Sequence, residues 1–290
     1  MFDLIATPFA YIMRLIYTFA KDYGLTIILF TALAKLVLWP LNVSSQKSMV
    51  AMQKIQPQLA KLQEKYKNDK DKLGQETMKL YQDNNINPLG GCLPTLIQFP
   101  LIIAIYQVVI RPMKHLMSID ITAPAVAKVL KAAGITSAHE IEIIKQINEA
   151  GIADKVKGFF NIDFNFFGLD LSQVPQAHLG EWTTNFIWII PLLSLISAYA
   201  MSKLSSSMNS NSAANEQAQS TQKTMLLLMP LMSGYFTLIL PAGVGLYWIV
   251  SNILQMIQLV VITQTIKKSA EKEGAIDGAV DVKVKKKKKK

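Results

Sequence analysis

The sequence has few of the residues that enzymes and metal sites require. There is one cysteine, Cys92, so no internal disulfide can form, and we interpret this residue as a buried structural thiol. The three histidines lie within one predicted loop, and no cluster of His, Cys, Asp and Glu has metal-ligand spacing. Neither H-E-x-x-H, G-x-S-x-G nor a phosphate-binding loop occurs. We therefore expect no enzyme activity, no catalytic residue, no metal and no cofactor.

Acidic residues are also missing from the interiors of five apolar blocks. Each block is close to the length of about 20 residues that crosses a bilayer. The blocks lie at about 25–41, 92–110, 184–203, 224–240 and 244–264. A soluble protein would distribute its apolar residues periodically instead of in blocks. The sequence therefore predicts an all-α, polytopic membrane protein with a core of five transmembrane helices.

The N-terminal unit, residues 1–23, is too interrupted to span a membrane. Pro8, Arg14 and Lys21 break its apolar sequence, which is typical of an amphipathic helix lying in the membrane interface. No small-residue cleavage site follows Arg14, and this argues against a cleavable signal peptide.

The second unit, residues 24–110, holds the first two blocks and a charged insertion at 43–86. Apolar residues recur in this insertion at spacings of three and four, which predicts helix. We expect Pro57 to kink or restart the first helix and a turn at 68–71 to separate it from a second. The prediction is a lysine-rich helical hairpin in the cytoplasm.

Residues 111–182 are predicted to form a long extracytoplasmic loop. A helix is expected at 125–133, and Ser137 with Glu140 is interpreted as a capping box that starts a second helix. Gly151 is the expected stop of that helix. The apolar stretch FNFFGLDLS near the loop's end is expected to lie on the membrane surface.

Residues 183–266 contain spans three to five, and residues 267–290 form a basic tail that we expect to be disordered. Lysines in the 43–86 hairpin and the tail place both in the cytoplasm, so the N-terminus lies outside. The net charge is +10, and six lysines end the chain. The tail could bind anionic lipid or RNA phosphate, or could simply be solvated.

Lys35 is the one charge inside the first block. A charge at the centre of a span costs about 2.5–3.5 kcal/mol on insertion scales. Its side chain could cover much of the distance to Leu41, about 9 Å at the helical rise, toward the cytoplasmic headgroups. Alternatively, it lines a water-filled cavity within the protein.

Polar residues on the fifth span favour the second explanation, in which Lys35 lines a water-filled cavity. They recur at spacings of three and four, on one helical face. They are Trp248, Ser251, Asn252, Gln255 and Gln258. Gln98 in the second span and Thr31, one turn before Lys35, could face the same space. Packing between helices is the alternative explanation of these polar groups.

Four stretches of the sequence, in this order, carry a resemblance to a known family. They are LVLWPLNVSSQKSMVAMQKIQPQLAKLQEKY, NPLGGCLPTLIQFPLIIAIYQ, FFGLDLS and LPAGVGLYWIVSNILQMIQ. From about residue 4 to 266 the chain resembles the YidC membrane protein insertases, in a short bacterial form. These are related to the oxidase-assembly insertase of mitochondria and the Albino insertase of chloroplasts.

The resemblance implies a hydrophilic intramembrane groove that receives nascent membrane proteins and helps them insert and fold in the bacterial plasma membrane. Lys35 matches the positive groove residue, where the family usually has arginine, and Thr31 and Trp248 match positions tied to activity or substrate contact. Implied partners are the ribosome, the signal recognition machinery, the Sec translocon and anionic lipids. A channel or transporter and a non-catalytic assembly scaffold are the alternatives.

The chain departs from the family pattern in two places. Residues 111–165 are longer than in short relatives and far shorter than the large outer domain of Gram-negative members. The lipoprotein-type N-terminus of many Gram-positive relatives is absent. We expect a Gram-positive or similar bacterial source.

Overall fold

The computed structural model describes residues 2–87, 93–181, 186–208 and 216–287, and helices make up most of them. The helices are α1 (Phe2–Ala20), α2 (Tyr23–Val37), α3 (Trp39–Lys65), α4 (Lys70–Asp83), α5 (Leu93–Ile110), α6 (Pro112–His115), α7 (Pro124–Ala132), α8 (Glu140–Glu149), α9 (Ile189–Met208), α10 (Glu216–Ile239) and α11 (Ala242–Lys287). Strands β1 (Asn165–Phe166) and β2 (Leu169–Asp170) pair antiparallel. The fold is therefore nearly all-α, as predicted. Cys92 lies outside the described residues.

Among the described residues, two apolar helical stretches are long enough to cross a membrane, Phe186–Met208 and Ala242–Ile266. The pair α2 and α3 passes the same test together, with a bend of 57° between its members. Gln98–Ile110 and Leu226–Ile239 are apolar but shorter. These segments coincide with the five predicted blocks, whereas the five-span core itself stays a prediction.

The first predicted block ends earlier than expected. It was expected to run to Leu41, but α2 ends at Val37, and α3 starts at Trp39 with Pro40 in its first turn. Proline disfavours helical geometry at the preceding residue and suits the first turn of a new helix. The bend therefore follows from the Trp39-Pro40 pair.

Helices α3 and α4 cover most of the segment predicted as a hairpin, and Pro57 neither interrupts nor restarts α3. Good helix formers such as Ala, Leu, Gln and Lys surround Pro57, and they favour continuation. The turn follows Lys65, and the Asp69 carboxylate accepts the Lys72 N–H at 3.0 Å as the N-cap of α4.

The predicted helix at 125–133 corresponds to α7, but the predicted capping box is wrong. The N-cap of α8 is His139, whose N–H bonds to Ser137 Oγ at 3.1 Å. Glu140 instead points inward, where it is 5% exposed and accepts the Lys114 N–H at 3.0 Å. Gly151 follows the end of α8 with φ of +63°, which confirms the predicted stop.

The FNFFGLDLS stretch forms the small β1–β2 hairpin. Phe167 and Gly168 form its turn, both with positive φ, and Asn165 Oδ1 accepts the Gly168 N–H at 2.9 Å. The Phe166 ring packs against Gly24 at the start of α2 so closely that a Cβ on Gly24 would overlap it. The absence of a side chain at Gly24 thus lets the hairpin seat on α2.

The chain just after β2 binds the turn between the last two helices. The Ala242 N–H donates to the Gln173 carbonyl and the Gly243 N–H to the Leu171 carbonyl, both at 2.8 Å. These bonds join the 111–182 segment to the beginning of α11.

Helix α1 packs one face against the core and leaves the other exposed. Ala6, Ala10, Met13 and Tyr17 are buried at spacings of four, three and four, and they contribute to packing against α2 and α5. The opposite face carries large exposed side chains, namely Tyr11, Leu15 and Phe19. Such a two-faced helix fits the predicted interfacial position.

Helix α11 continues past the predicted end of the fifth span at residue 264 and past Lys267 to Lys287. The tail is therefore helical over most of its length, contrary to the predicted disorder. Its Ala, Glu and Lys residues have high helix propensity, and this allows the backbone to continue as helix.

Candidate functional site

Lys35 lies near the end of α2 and is 6% exposed. Its Nζ donates a hydrogen bond to Gln255 Oε1 on α11 at 3.3 Å. Within the described part of the chain, no carboxylate forms an ion pair with it. A neutral amide therefore stabilises the ammonium group without cancelling its charge.

Gln258, one turn further along α11, holds the same region together. Its Nε2 donates to the Lys35 carbonyl at 2.9 Å, and its Oε1 accepts from Asn42 Nδ2 on α3 at 3.1 Å. Carbonyls in the last turn of a helix lack intrahelical partners. Gln258 therefore satisfies the end of α2 just where the chain bends into α3.

A second polar contact joins α5 to α11. Gln98 Nε2 bonds to the Tyr247 hydroxyl and lies 3.5 Å from Ser251 Oγ. Tyr247 is fully buried and Ser251 is 3% exposed. This contact therefore lies in the packed interior, about one turn from the Lys35 site along α11.

The opposite side of α11 faces α9 and α10. Asn252 Nδ2 donates to Ser197 Oγ on α9 at 3.1 Å, and Ser194 of α9 bonds to Ser233 of α10 at 2.8 Å. The Trp248 ring stacks on Phe236 of α10 with centroids 6.2 Å apart. These contacts hold α9, α10 and α11 together.

Thr31 is buried one turn before Lys35, but its hydroxyl bonds to its own helix. Thr31 Oγ1 donates to the Ile27 carbonyl at 2.6 Å. Thr31 therefore supports α2 close to Lys35 and joins none of the hydrogen bonds described above.

The polar stripe of α11 spans an arc of about 120° at 100° per residue. Ser251 and Gln258 lie at one edge, toward α2 and α5, while Trp248 and Asn252 lie at the other edge, toward α9 and α10. Gln255 lies between these edges and its side chain is exposed. The arrangement is a polar stripe along α11, with α2 on one side and α9 and α10 on the other.

The structure joins most of the predicted site residues in pairs rather than in a single cluster. Lys35, Gln255 and Gln258 come together, Gln98 joins Ser251, and Asn252 and Trp248 contact α9 and α10. Sequence reasoning missed the polar partners on neighbouring helices. These are Asn42, Ser194, Ser197, Ser233 and Tyr247. Ser194 and Ser197, three residues apart in an apolar helix, were a usable signal.

The polar stripe and Lys35 offer amides, hydroxyls and one ammonium group, which suit the binding of polar or acidic groups. Among the residues that the structure describes, no group of His, Cys, Asp and Glu is arranged to hold a metal ion.

Comparison with known sequences identifies the family. The sequence model of the 60Kd inner membrane protein family matches residues 15–270, which is most of the chain. The chain belongs to the 60Kd inner membrane protein family. Its helical segments and its relatives make it a bacterial membrane protein.

Several proteins that are similar to this chain carry the name Membrane protein insertase YidC. The Clostridium perfringens protein is 31% identical over 262 residues, covering 89% of this chain and 86% of the relative. The Oceanobacillus iheyensis protein is 31% identical over 250 residues, covering 85% and 76%. The Syntrophobacter fumaroxidans protein is 28% identical over 257 residues, but the match covers only 37% of that longer relative.

Proposed function

We propose that this protein is a membrane protein insertase, which transfers the transmembrane helices of newly made proteins into the lipid bilayer. The observation that carries the proposal is Lys35, a buried cation on the apolar helix α2, bound by a neutral amide of α11. A purely structural cation would be expected to pair with a carboxylate. The names of the relatives support the same function.

The proposed topology has five spans, contributed by α2, α5, α9, α10 and the first part of α11. The N-terminus lies outside and the C-terminus lies in the cytoplasm. The lysine-rich α3–α4 hairpin is cytoplasmic, and α1 lies along the outer interface with Tyr11, Leu15 and Phe19 toward lipid. Residues 111–182 are then extracytoplasmic.

The proposed mechanism begins when the polar outer segment of a client enters a cleft along the polar stripe from the cytoplasm. The Lys35 ammonium attracts acidic or polar groups, which replace Gln255 as its partner. A wet cleft shortens the apolar distance that this segment must cross. The cleft lowers the barrier and supplies no net energy, so neither nucleotide hydrolysis nor catalytic chemistry is involved.

The apolar part of the client then passes into lipid along the exposed apolar faces of α9 and α11. On α11, Ile253, Ile257 and Val261 are exposed at spacings of four, which aligns them along one face. On α9, Leu192, Ile196 and Tyr199 are exposed in the same manner. Transfer to lipid provides about 0.8 kcal/mol per buried methylene, which drives the step.

The proposed partners are nascent membrane proteins, the ribosome and signal recognition machinery, the Sec translocon and anionic lipids. The lysines that end the chain are the proposed contact for ribosomal RNA or lipid headgroups. Both attractions are electrostatic and should weaken as the salt concentration rises.

Insertion into vesicles containing the purified protein tests the function. A single-span client with an acidic outer segment should insert with the parent protein and not with empty vesicles. Lys35→Arg should retain this insertion and Lys35→Ala should lose it, whereas Lys128→Ala on the exposed face of α7 serves as a matched control. Equal insertion in empty and protein-containing vesicles would refute the insertase proposal. Insertion that survives Lys35→Ala would refute the role of the charge, and ion conductance would favour a channel.

Cysteine labelling tests the topology separately. In a Cys92→Ser background, Thr136→Cys on the exposed surface of the 111–182 segment should react with an impermeant reagent added outside. Lys67→Cys in the turn of the helical hairpin should not. Labelling of Lys67→Cys from outside would reverse the proposed orientation.

A further inference from the structure

Phe167, at the tip of the β1–β2 hairpin, is the most exposed large apolar side chain among the described residues, with 92% of its surface accessible. The whole FNFFGLDLS stretch was expected on the membrane surface, but most of it packs against the protein. Phe164 and Leu171 are buried, and Phe166 packs on α2. Phe167 is the aromatic residue of the stretch that stays uncovered, and the proposed insertase mechanism gives it no role.

The turn holds Phe167 in a backbone conformation that suits other residue types better. Its φ is +51°, in the left-handed region that favours glycine, asparagine and aspartate. Side chains of β1 fix this turn, because Asn165 Oδ1 accepts the Gly168 N–H at 2.9 Å and Asp163 Oδ1 accepts the Asn165 N–H at 2.8 Å. The Phe166 ring lies edge-on to the Phe167 ring, with centroids 4.6 Å apart. Phe167 thus combines a strained backbone with an exposed ring, and water alone stabilises neither.

The apolar face of α2 begins at the level of this hairpin. Exposed leucines recur along α2 at spacings of four, four and three, which places them on one face of the helix. They are Leu25, Leu29, Leu33 and Leu36. Phe166 docks on Gly24, one residue before Leu25. The hairpin therefore lies where the outward apolar surface of this span starts, and Phe167 extends an apolar surface that faces lipid on the proposed topology.

A second exposed phenylalanine lies near the same level. Phe19, in the last turn of α1, is 81% exposed and precedes Gly24 by five residues. Lys21 and Asp22, between α1 and α2, are polar and suit the headgroup layer. Two segments that are distant in sequence thus each present a phenylalanine near the start of α2.

We propose that Phe167 inserts into the outer leaflet of the bilayer and anchors the 111–182 segment to phospholipid chains. Lipid around the ring removes its apolar surface from water, and this offsets the strain at its backbone. The chain just after β2 bonds to Ala242 and Gly243, so the anchor also sets the depth of the turn between α10 and α11. The proposal rests on the proposed position of α2 as a span that begins outside, and not on insertase activity.

Spin labelling of the full-length protein in vesicles tests this contact. In a Cys92→Ser background, a label at Phe167→Cys should be relaxed more strongly by oxygen, which concentrates in lipid, than by a nickel chelate, which stays in water. Leu25→Cys should behave in the same way, and the exposed control Thr136→Cys should show the opposite order. Stronger relaxation by the nickel chelate at position 167 would overturn the proposal. Weak relaxation by both reagents would also overturn it, because another protein chain would then cover the residue.

Hydrogen exchange provides a second measurement that needs no label. Phe167→Asn removes the ring and suits a positive φ, so relief of strain alone would slow exchange of the Leu171 N–H, which bonds to the Phe164 carbonyl at 2.9 Å. Loss of a lipid anchor should instead speed this exchange about tenfold in vesicles. Phe167→Leu, which keeps an apolar side chain, and the control Thr136→Asn should both retain the parent rate.

Exchange in Phe167→Asn that is no faster than in the parent protein would contradict the anchor. Neither measurement involves a client protein. A protein that fails the vesicle insertion assay while its label at position 167 responds to oxygen would therefore refute the proposed function and support the anchor.

Discussion

The two sides of α11 use polar residues of different kinds. Toward α2 and α3 the contacts join long side chains, as between Lys35 and Gln255 at 3.3 Å and between Asn42 and Gln258 at 3.1 Å. Toward α9 the contact joins short side chains, Asn252 with Ser197 at 3.1 Å, and a buried serine pair, Ser194 and Ser233 at 2.8 Å, joins α9 to α10. Long side chains have more rotamers and can exchange partners, whereas short hydroxyls fix the distance between two backbones.

The two sides of α11 are therefore suited to different roles. The α2 side contains the charge and the exposed Gln255, so it is suited to exchanging a protein partner for a client. The α9 side has short polar side chains instead and is suited to holding α9, α10 and α11 together. Changes on the α2 side should therefore alter insertion more than stability, and changes on the α9 side should do the reverse.

Charge reversal at Lys35 should have the largest effect. Lys35→Glu should lower insertion of a client with an acidic outer segment at least about tenfold, because like charges repel strongly in a low-dielectric cleft. A client with a basic outer segment should insert better with Lys35→Glu than with Lys35→Ala. The measurement is insertion into vesicles at equal protein level. The same loss for both clients would show general damage to the cleft rather than charge recognition.

A carboxylate at position 255 should have the next largest effect. Gln255→Glu would give Lys35 an acidic partner within the protein, and a client would then have to displace that partner. Insertion of the acidic client should fall about fivefold, equivalent to about 1 kcal/mol, with no loss of thermal stability. Asn252→Asp, which faces Ser197 on the other side, is the matched control. Equal losses of insertion from both variants would contradict the difference in role between the two sides of α11.

The serine pair should give a smaller effect, and on stability instead. Ser194→Ala and Ser233→Ala should each lower the free energy of unfolding by about 0.6 kcal/mol, a typical value for hydrogen bonds between membrane helices. The double variant should lose less than the sum, because the two changes remove the same bond. Thermal unfolding in detergent measures this, and insertion per folded molecule should be unchanged. Additive losses would show that the hydroxyls do not interact.

The pH dependence of stability that Asp170 causes should be the smallest effect. It should be independent of both sides of α11. Burial opposes ionisation of Asp170, but hydrogen bonds from Ser172 and Lys145 outweigh it and hold its pKa below the ordinary 3.8. Its stabilisation is therefore fully present above the unfolded value and is lost as pH falls through the folded pKa. Asp170→Asn should flatten the acid limb of stability, measured by unfolding, while the control Asp154→Asn should not. If the stability of the parent protein did not fall at acidic pH, the lowered pKa of Asp170 would be contradicted.

Sequence periodicity predicted the helical segments well, because each apolar block and each amphipathic stripe is a local pattern. Local patterns gave wrong predictions where a contact between residues distant in sequence determines the structure. Ser137 and Glu140 have the spacing of a capping box, but the Lys114 N–H, which is distant in sequence, binds Glu140. The β1–β2 hairpin likewise depends on the fit between Phe166 and Gly24.

The site shows the same limit. Lys35 and the α11 stripe could be found because each is an exception within its own helix. Their partners could not be assigned, since Tyr247 and Asn42 resemble ordinary residues until the helices are placed beside one another. The difference between the two sides of α11 could be recognised only from the positions of α2, α9 and α10.

The bonds from Ala242 and Gly243 to the chain after β2 bear on how the protein is made. Their acceptors, the carbonyls of Leu171 and Gln173, are synthesised well before α11, which supplies the donors. Gln255 and Gln258, which bind Lys35 and its carbonyl, come later still. A growing copy on the ribosome therefore has α2 in place before it has the cleft. Each copy must complete α11 before it can act on another chain.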